Sequence, residues 1–133
     1  VTLSASGWPA PTAWAARRSS PASRGAPVVV SPAEGGIGRH LGDNAASQHN
    51  IDRWGEVRAI DVFPMAQDGG YITTRDERER AYQVARKVGF TGIGLYTDTS
   101  PGNMVHLDVR KTNHLAQWSR VNGQYLGIER VLA

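Results

Sequence analysis

Residues 91–109 read Thr-Gly-Ile-Gly-Leu-Tyr-Thr-Asp-Thr-Ser-Pro-Gly-Asn-Met-Val-His-Leu-Asp-Val. Two short apolar runs, 91–96 and 104–109, flank the turn formers Ser100, Pro101, Gly102 and Asn103, a pattern that predicts an antiparallel hairpin. Upstream, Thr74 and Glu77 form a capping box ahead of Ala81, Val84, Ala85 and Val88. These four fall at i, i+3, i+4 and i+7 on one face, so a helix is expected, ended by Gly89. Residues 57–63, Val-Arg-Ala-Ile-Asp-Val-Phe, alternate as a strand does and are closed by Pro64. Residues 27–30, Pro-Val-Val-Val, predict a further short strand. Beyond the hairpin, a helix is expected over 113–120 and a short strand over 124–128. The chain is therefore expected to be α+β, with helices packed on a small antiparallel sheet. Residues 1–26, rich in Ala, Ser, Pro and Arg, predict an arm around a short helix at 11–18, which leaves 27–133 as one domain. Residues 31–50 are polar and glycine-rich, and so long a loop in a small domain is the first place to look for a site.

Composition narrows the function classes. With 133 residues, 40% of them hydrophobic, the chain suits one compact domain. A net charge of +3 is only a mild bias toward anionic partners. The charges over 75–87 are nearly balanced, as on a solvated helix face, so no nucleic-acid partner is expected. There is no cysteine, so a metal must be held by His and carboxylate, and a nucleophile is not a thiolate. No membrane span is expected, and the N-terminus lacks the order of a signal peptide. Val1 in place of Met suggests a processed product or a piece of something longer. Gly35, Gly36 and Gly38 are followed by no Lys-Ser or Lys-Thr, which argues against a phosphate-binding loop. No Gly-x-Ser-x-Gly elbow is present, which argues against a serine hydrolase.

The residues fit for chemistry are few. His106 and Asp108 lie two apart in a predicted strand and so emerge on one face. Asp61 sits inside an apolar strand, where an isolated carboxylate is costly without a cation or hydrogen bonds. His49 ends the glycine-rich loop just ahead of that strand. Together His49, Asp61 and His106 make a chemically sensible zinc site with a position left for water, whose pKa the metal would lower. Spacing alone leaves open an ordinary hydrogen-bonded His106 and an Asp61 paired with an arginine. His40 and His114 are expected in loops or on the surface.

The order of motifs adds a resemblance. Ser47-Gln48-His49, Ala59-Ile60-Asp61, Gly92-Ile93-Gly94-Leu95-Tyr96 and Val105-His106-Leu107-Asp108-Val109-Arg110 resemble the D-Ala-D-Ala carboxypeptidase-like zinc peptidases of the M15 type. That family has the hedgehog-like fold and includes murein endopeptidases and phage endolysins. The resemblance covers about residues 27–110 and implies a peptidoglycan peptidase with His49, Asp61 and His106 on Zn2+. It further implies Arg39 as a ligand for the substrate's carboxylate and a stem or cross-link peptide as substrate. Two departures stand out. Residues 50–60 make the interval between His49 and Asp61 longer than in the family pattern, through what looks like an insertion carrying Asp52 to Glu56. Asn103 stands where many members place a Glu as general base, and an amide cannot take a proton from water at neutral pH. Asp108, as base or as a residue orienting His106, and Glu56 are the expected catalytic carboxylates, with Glu34 a further candidate. The alternative is an inactive relative of the same fold serving as a phage structural or cell-wall-binding domain. Either reading implies the bacterial envelope or a virion, and a place within a larger phage or cell-wall assembly.

Overall fold

The computed structural model describes residues 28–30, 36–37 and 46–133. The expected arm over 1–26 with its helix at 11–18, and Glu34, Arg39 and His40, lie outside the described residues. Those described form an α+β unit around a six-stranded sheet: β1 (Val28–Val30), β2 (Ala59–Pro64), β3 (Gly92–Tyr96), β4 (Met104–Asp108), β5 (Ala116–Val121) and β6 (Gln124–Leu126). The strand order is β1-β2-β4-β3-β5-β6. A one-turn helix α1 (Ile51–Trp54) precedes β2, and the long helix α2 (Arg75–Val88) links β2 to β3. No helix among the described residues is long and apolar enough to cross a membrane.

The predicted hairpin is present, with Gly92 opposite Asp108 and Tyr96 opposite Met104. The sheet as a whole departs from the expected antiparallel one, because β3 and β5 run parallel. After β4 the chain passes the start of β3, where Thr91 donates to the Asp108 carbonyl and accepts from the Ala116 amide. It then lays β5 along the far edge of β3, so Asp108 and Ala116 both pair with Gly92.

The helix expected over 113–120 is a correction of the same origin. Residues 116–121 are strand β5, paired with β3 on one side and β6 on the other. The local signal was the Asn122-Gly123 pair. Both residues adopt positive φ, 49° and 79°, as a tight two-residue hairpin turn requires. The terminal strand stops at Leu126, and Ile128–Arg130 form a 3-10 turn.

Helix α2 starts at the predicted capping box. The Thr74 hydroxyl accepts from the Glu77 amide at 3.2 Å while the Glu77 carboxylate accepts from the Thr74 amide at 3.0 Å. Gly89 ends it at φ 107°, a conformation that favours glycine. Tyr82, Ala85 and Val88 pack on Ile60, Val62, Ile93, Leu95 and Val105 of the sheet, with Ile72, Phe90, Ile128 and Val131 closing the core. At about 1.5–3 kcal/mol for each large apolar side chain buried, this face is the main source of stability.

Because side chains alternate along a strand, the residues between those core positions project from the opposite face. There the register sets Asp61 beside His106, His106 beside Gly94, and Gly94 beside Trp118. One row across four strands thus carries two of the sequence-predicted ligands and a tryptophan. The next row is Ala59, Asp108, Gly92 and Ala116.

Candidate metal centre

Strands β2 and β4 place Asp61 and His106 directly opposite one another. His49 reaches them from the preceding segment. Its amide donates to the Ser47 hydroxyl at 3.2 Å, and the Trp54 indole donates to the Ser47 carbonyl at 2.9 Å. Residues 50–56, within the interval to Asp61, fold into a compact detour. Asn50 caps α1 by accepting from the amides of Asp52 and Arg53, Gly55 ends it at φ 72°, and the Arg58 guanidinium stacks over Trp54 at 4.3 Å. The interval between His49 and Asp61 is folded locally, and its two ends meet.

Three donor atoms converge. His49 Nε2 lies 3.2 Å from Asp61 Oδ1 and 3.2 Å from His106 Nδ1, and His106 Nδ1 lies 3.0 Å from Asp61 Oδ1. The outer hydrogen bonds fix the outward ring nitrogens as proton carriers. His49 Nδ1 faces the Ile37 carbonyl at 3.0 Å, and a carbonyl can only accept, so Nδ1 holds the proton and donates. His106 Nε2 donates to Asp108 Oδ2 at 2.8 Å. With both rings neutral, the inward atoms are lone pairs, pointed at each other and at a carboxylate oxygen. Such a cluster is repulsive until a proton or a metal ion sits among the three. In a tetrahedral site with metal–ligand bonds of roughly 2.0–2.1 Å, neighbouring ligand atoms stand roughly 3.3–3.4 Å apart, close to the spacing found. His49, Asp61 and His106 are the group of potential ligands among the described residues that could hold a metal ion.

The electrostatics agree. Burial pushes the Asp61 carboxyl up, but hydrogen bonds and charge interactions with His106 and His49 outweigh it and hold the group down at about 2. Burial pushes the His106 imidazole down, and the carboxylates of Asp108 and Asp61 more than reverse this, so its pKa is raised. Both directions describe a site that draws positive charge, whether a proton or a metal. The histidine side chains are 6% and 9% exposed and Asp61 is 18% exposed, so approach is over the carboxylate.

Asp108 sits behind His106. It is fully buried, and its carboxylate accepts from Arg110 through Nε at 2.9 and 3.1 Å and Nη2 at 2.6 Å, besides the His106 bond. Burial raises its pKa, yet the Arg110 and His106 interactions hold it well below the usual carboxylate range. The two strand glycines have a steric purpose here. A Cβ on Gly92 would collide with the Asp108 carboxylate, and one on Gly94 would lie 2.6 Å from the Trp118 indole. Trp118 stands 5.2 Å from the His106 ring, donates to the Tyr96 hydroxyl at 3.1 Å, and has the Arg110 guanidinium 5.3 Å above it. The Tyr96 hydroxyl, pushed up to about 12 chiefly by burial, stays protonated.

The other sequence-predicted residues lie apart from the triad. Glu56 is exposed and pairs with Arg58 Nε at 3.7 Å. Asn103 is buried, and its Oδ1 accepts from Arg78 of α2 at 2.9 Å, so its side chain ties the helix to the hairpin. His114 is exposed, as expected. The Arg110 and Trp118 contacts escaped the sequence reading, although the Gly92-x-Gly94 spacing was a signal that something closes on that strand. Compared with known proteins, the chain matches no family model, and no curated protein or solved structure matches it significantly.

Proposed function

We propose that this protein is a zinc-dependent peptidase of the hedgehog-like fold, acting on a stem or cross-link peptide of peptidoglycan. The observation that carries the reading is the convergence of His49 Nε2, Asp61 Oδ1 and His106 Nδ1 as three cation-seeking donors with their tautomers set from outside. Two imidazoles and one carboxylate suit zinc, and three protein ligands rather than four are the usual complement of a catalytic site. Bound there, zinc would supply Lewis acidity toward a peptide carbonyl and toward water. The substrate class is supported by the resemblance of the motifs around these residues.

The chain's own groups divide the remaining work. The Ile37 carbonyl and Asp108 orient the two rings, as outer carboxylates and carbonyls do behind metal-bound histidines. Asp108 has both oxygens engaged, so we assign it to orientation; Glu56, paired with Arg58 apart from the triad, is assigned no role at the centre. Arg39 is proposed to hold the substrate's carboxylate.

A second reading has its own observation. Asn103, at the position of the family's Glu, is committed to Arg78, which favours a wall-binding relative whose metal is structural. Incubating zinc-loaded protein with purified peptidoglycan separates the two. The peptidase releases soluble peptides, and His106→Ala does not. Sedimentation with the wall and no release by the natural sequence would overturn the peptidase reading and leave the binding one.

A further inference from the structure

The buried Asp108 carboxylate is gripped from the side away from the triad. Arg110, just past the end of β4, reaches back with its own amide (3.1 Å to Oδ1), with Nε (2.9 Å to Oδ1, 3.1 Å to Oδ2) and with Nη2 (2.6 Å to Oδ2). A planar guanidinium fork of this kind fixes the plane of a carboxylate, which a lysine's point charge cannot do. Once that plane is fixed, Oδ2 has one remaining direction, toward His106 Nε2 at 2.8 Å. The fork is itself placed by the fold. Its guanidinium lies over the Trp118 indole, the indole abuts the His106 ring, and Gly92 and Gly94 leave the space that Asp108 and Trp118 fill.

We infer that Arg110 is a positioning residue for His106: by clamping Asp108 it keeps the acceptor aligned with Nε2–H, which commits Nδ1 as the lone pair turned toward His49 and Asp61. Without the fork, the carboxylate loses its fixed plane, Nε2 loses its fixed acceptor, and the ring is free to exchange tautomers. The consequence for metal affinity rests on the zinc reading above, whereas the tautomer of His106 does not.

Arg110 is partly exposed, with 28% of its side chain open, so its removal leaves a site that water can reach. The test compares the natural sequence with Arg110→Met and Arg110→Lys. Nitrogen-15 NMR of the metal-free proteins, followed to a pH at which the ring is neutral, reads the His106 tautomer, and chelator competition reads zinc affinity. Once neutral, His106 of the natural sequence should be the Nε2–H tautomer. Arg110→Met should show a tautomer mixture and about tenfold weaker zinc, the low end of the loss typical when a residue behind a ligand is changed. Arg110→Lys, which keeps charge without the fork, should fall between them. Should Arg110→Met fail to fold, Arg110→Lys carries the comparison. A folded Arg110→Met with His106 still wholly Nε2–H and with unchanged zinc affinity overturns the inference, as does an Arg110→Lys indistinguishable from the natural sequence. Failure of the natural sequence to bind zinc would instead count against the metal reading, and the tautomer comparison would still decide the role of Arg110.

Discussion

Replacing Gly92 by alanine is expected to damage the centre from behind, without touching any of the three converging residues. A Cβ at this position would fall well inside contact distance of Oδ1, Oδ2 and Cγ of Asp108, where ordinary contact begins near 3.4 Å. Neither partner has slack. Gly92 is paired on both sides, to Asp108 and to Ala116, and Asp108 is fully buried with both oxygens bonded. The carboxylate must retreat by more than about 1 Å to restore contact distance, enough to break the 2.8 Å bond from His106 Nε2. Overpacking a tight interior costs about 1–3 kcal/mol, and a hydrogen bond to a charged group contributes about 1.5–3 kcal/mol. Both arise from one displacement and overlap, so about 3 kcal/mol is the expected gross loss. The smaller backbone entropy of unfolded alanine returns about 0.4–1 kcal/mol. Urea unfolding of the metal-free protein should therefore show Gly92→Ala destabilised by about 2–3 kcal/mol. Its zinc affinity should fall tenfold or more. Stability within about 0.5 kcal/mol of the parent, the ordinary range for an innocuous change, together with unchanged zinc affinity would refute the idea that glycine is there to house Asp108.

Other outcomes follow from neighbouring contacts. Gly94→Ala puts a methyl 2.6 Å from the Trp118 indole, so the ring must move off Tyr96 and His106, with a changed near-ultraviolet circular dichroism spectrum and about 1–3 kcal/mol lost. Gly123→Ala forces alanine to a φ near 79° and should cost about 1–2 kcal/mol in denaturant unfolding, with no effect on zinc affinity. Asp98 is held below its ordinary 3.8 by the hydrogen bonds from Arg120, which outweigh burial. A depressed carboxylate stabilises the fold above the unfolded pKa and loses that contribution as pH falls below it. The stability gap between the parent and Asp98→Asn should accordingly be open above pH 3.8 and close under more acid conditions, as thermal unfolding across pH would show.

Much of the sheet was legible because its determinants are local. The Thr74/Glu77 box, the apolar stripe behind it and Gly89 specify α2 within one stretch of chain, and the turn residues at 100–103 specify the hairpin in the same way. Strand β5 was not, because its determinants are distant. Ala-Gln-Trp-Ser-Arg-Val has no decisive propensity, and what makes it a strand is parallel pairing to β3, with Gly94 admitting Trp118 and the Asn122-Gly123 turn returning the chain as β6. The site divides along the same line. Asp61 and His106 stand out as polar residues on strand faces, and His49 as the end of a loop leading to them. Arg110 carries no such local signal, since its bond to Asp108 matters only once Asp108 is known to be buried against His106.

The central claim is that His49, Asp61 and His106 hold a metal ion, and its most direct test is the metal content of the protein after exhaustive dialysis. Elemental analysis should find about one zinc per chain in the natural sequence, and close to none in His49→Ala and in His106→Ala. No tightly held metal in the natural sequence, even after zinc is added back, would contradict the account and leave the three facing donors to be satisfied by a proton alone.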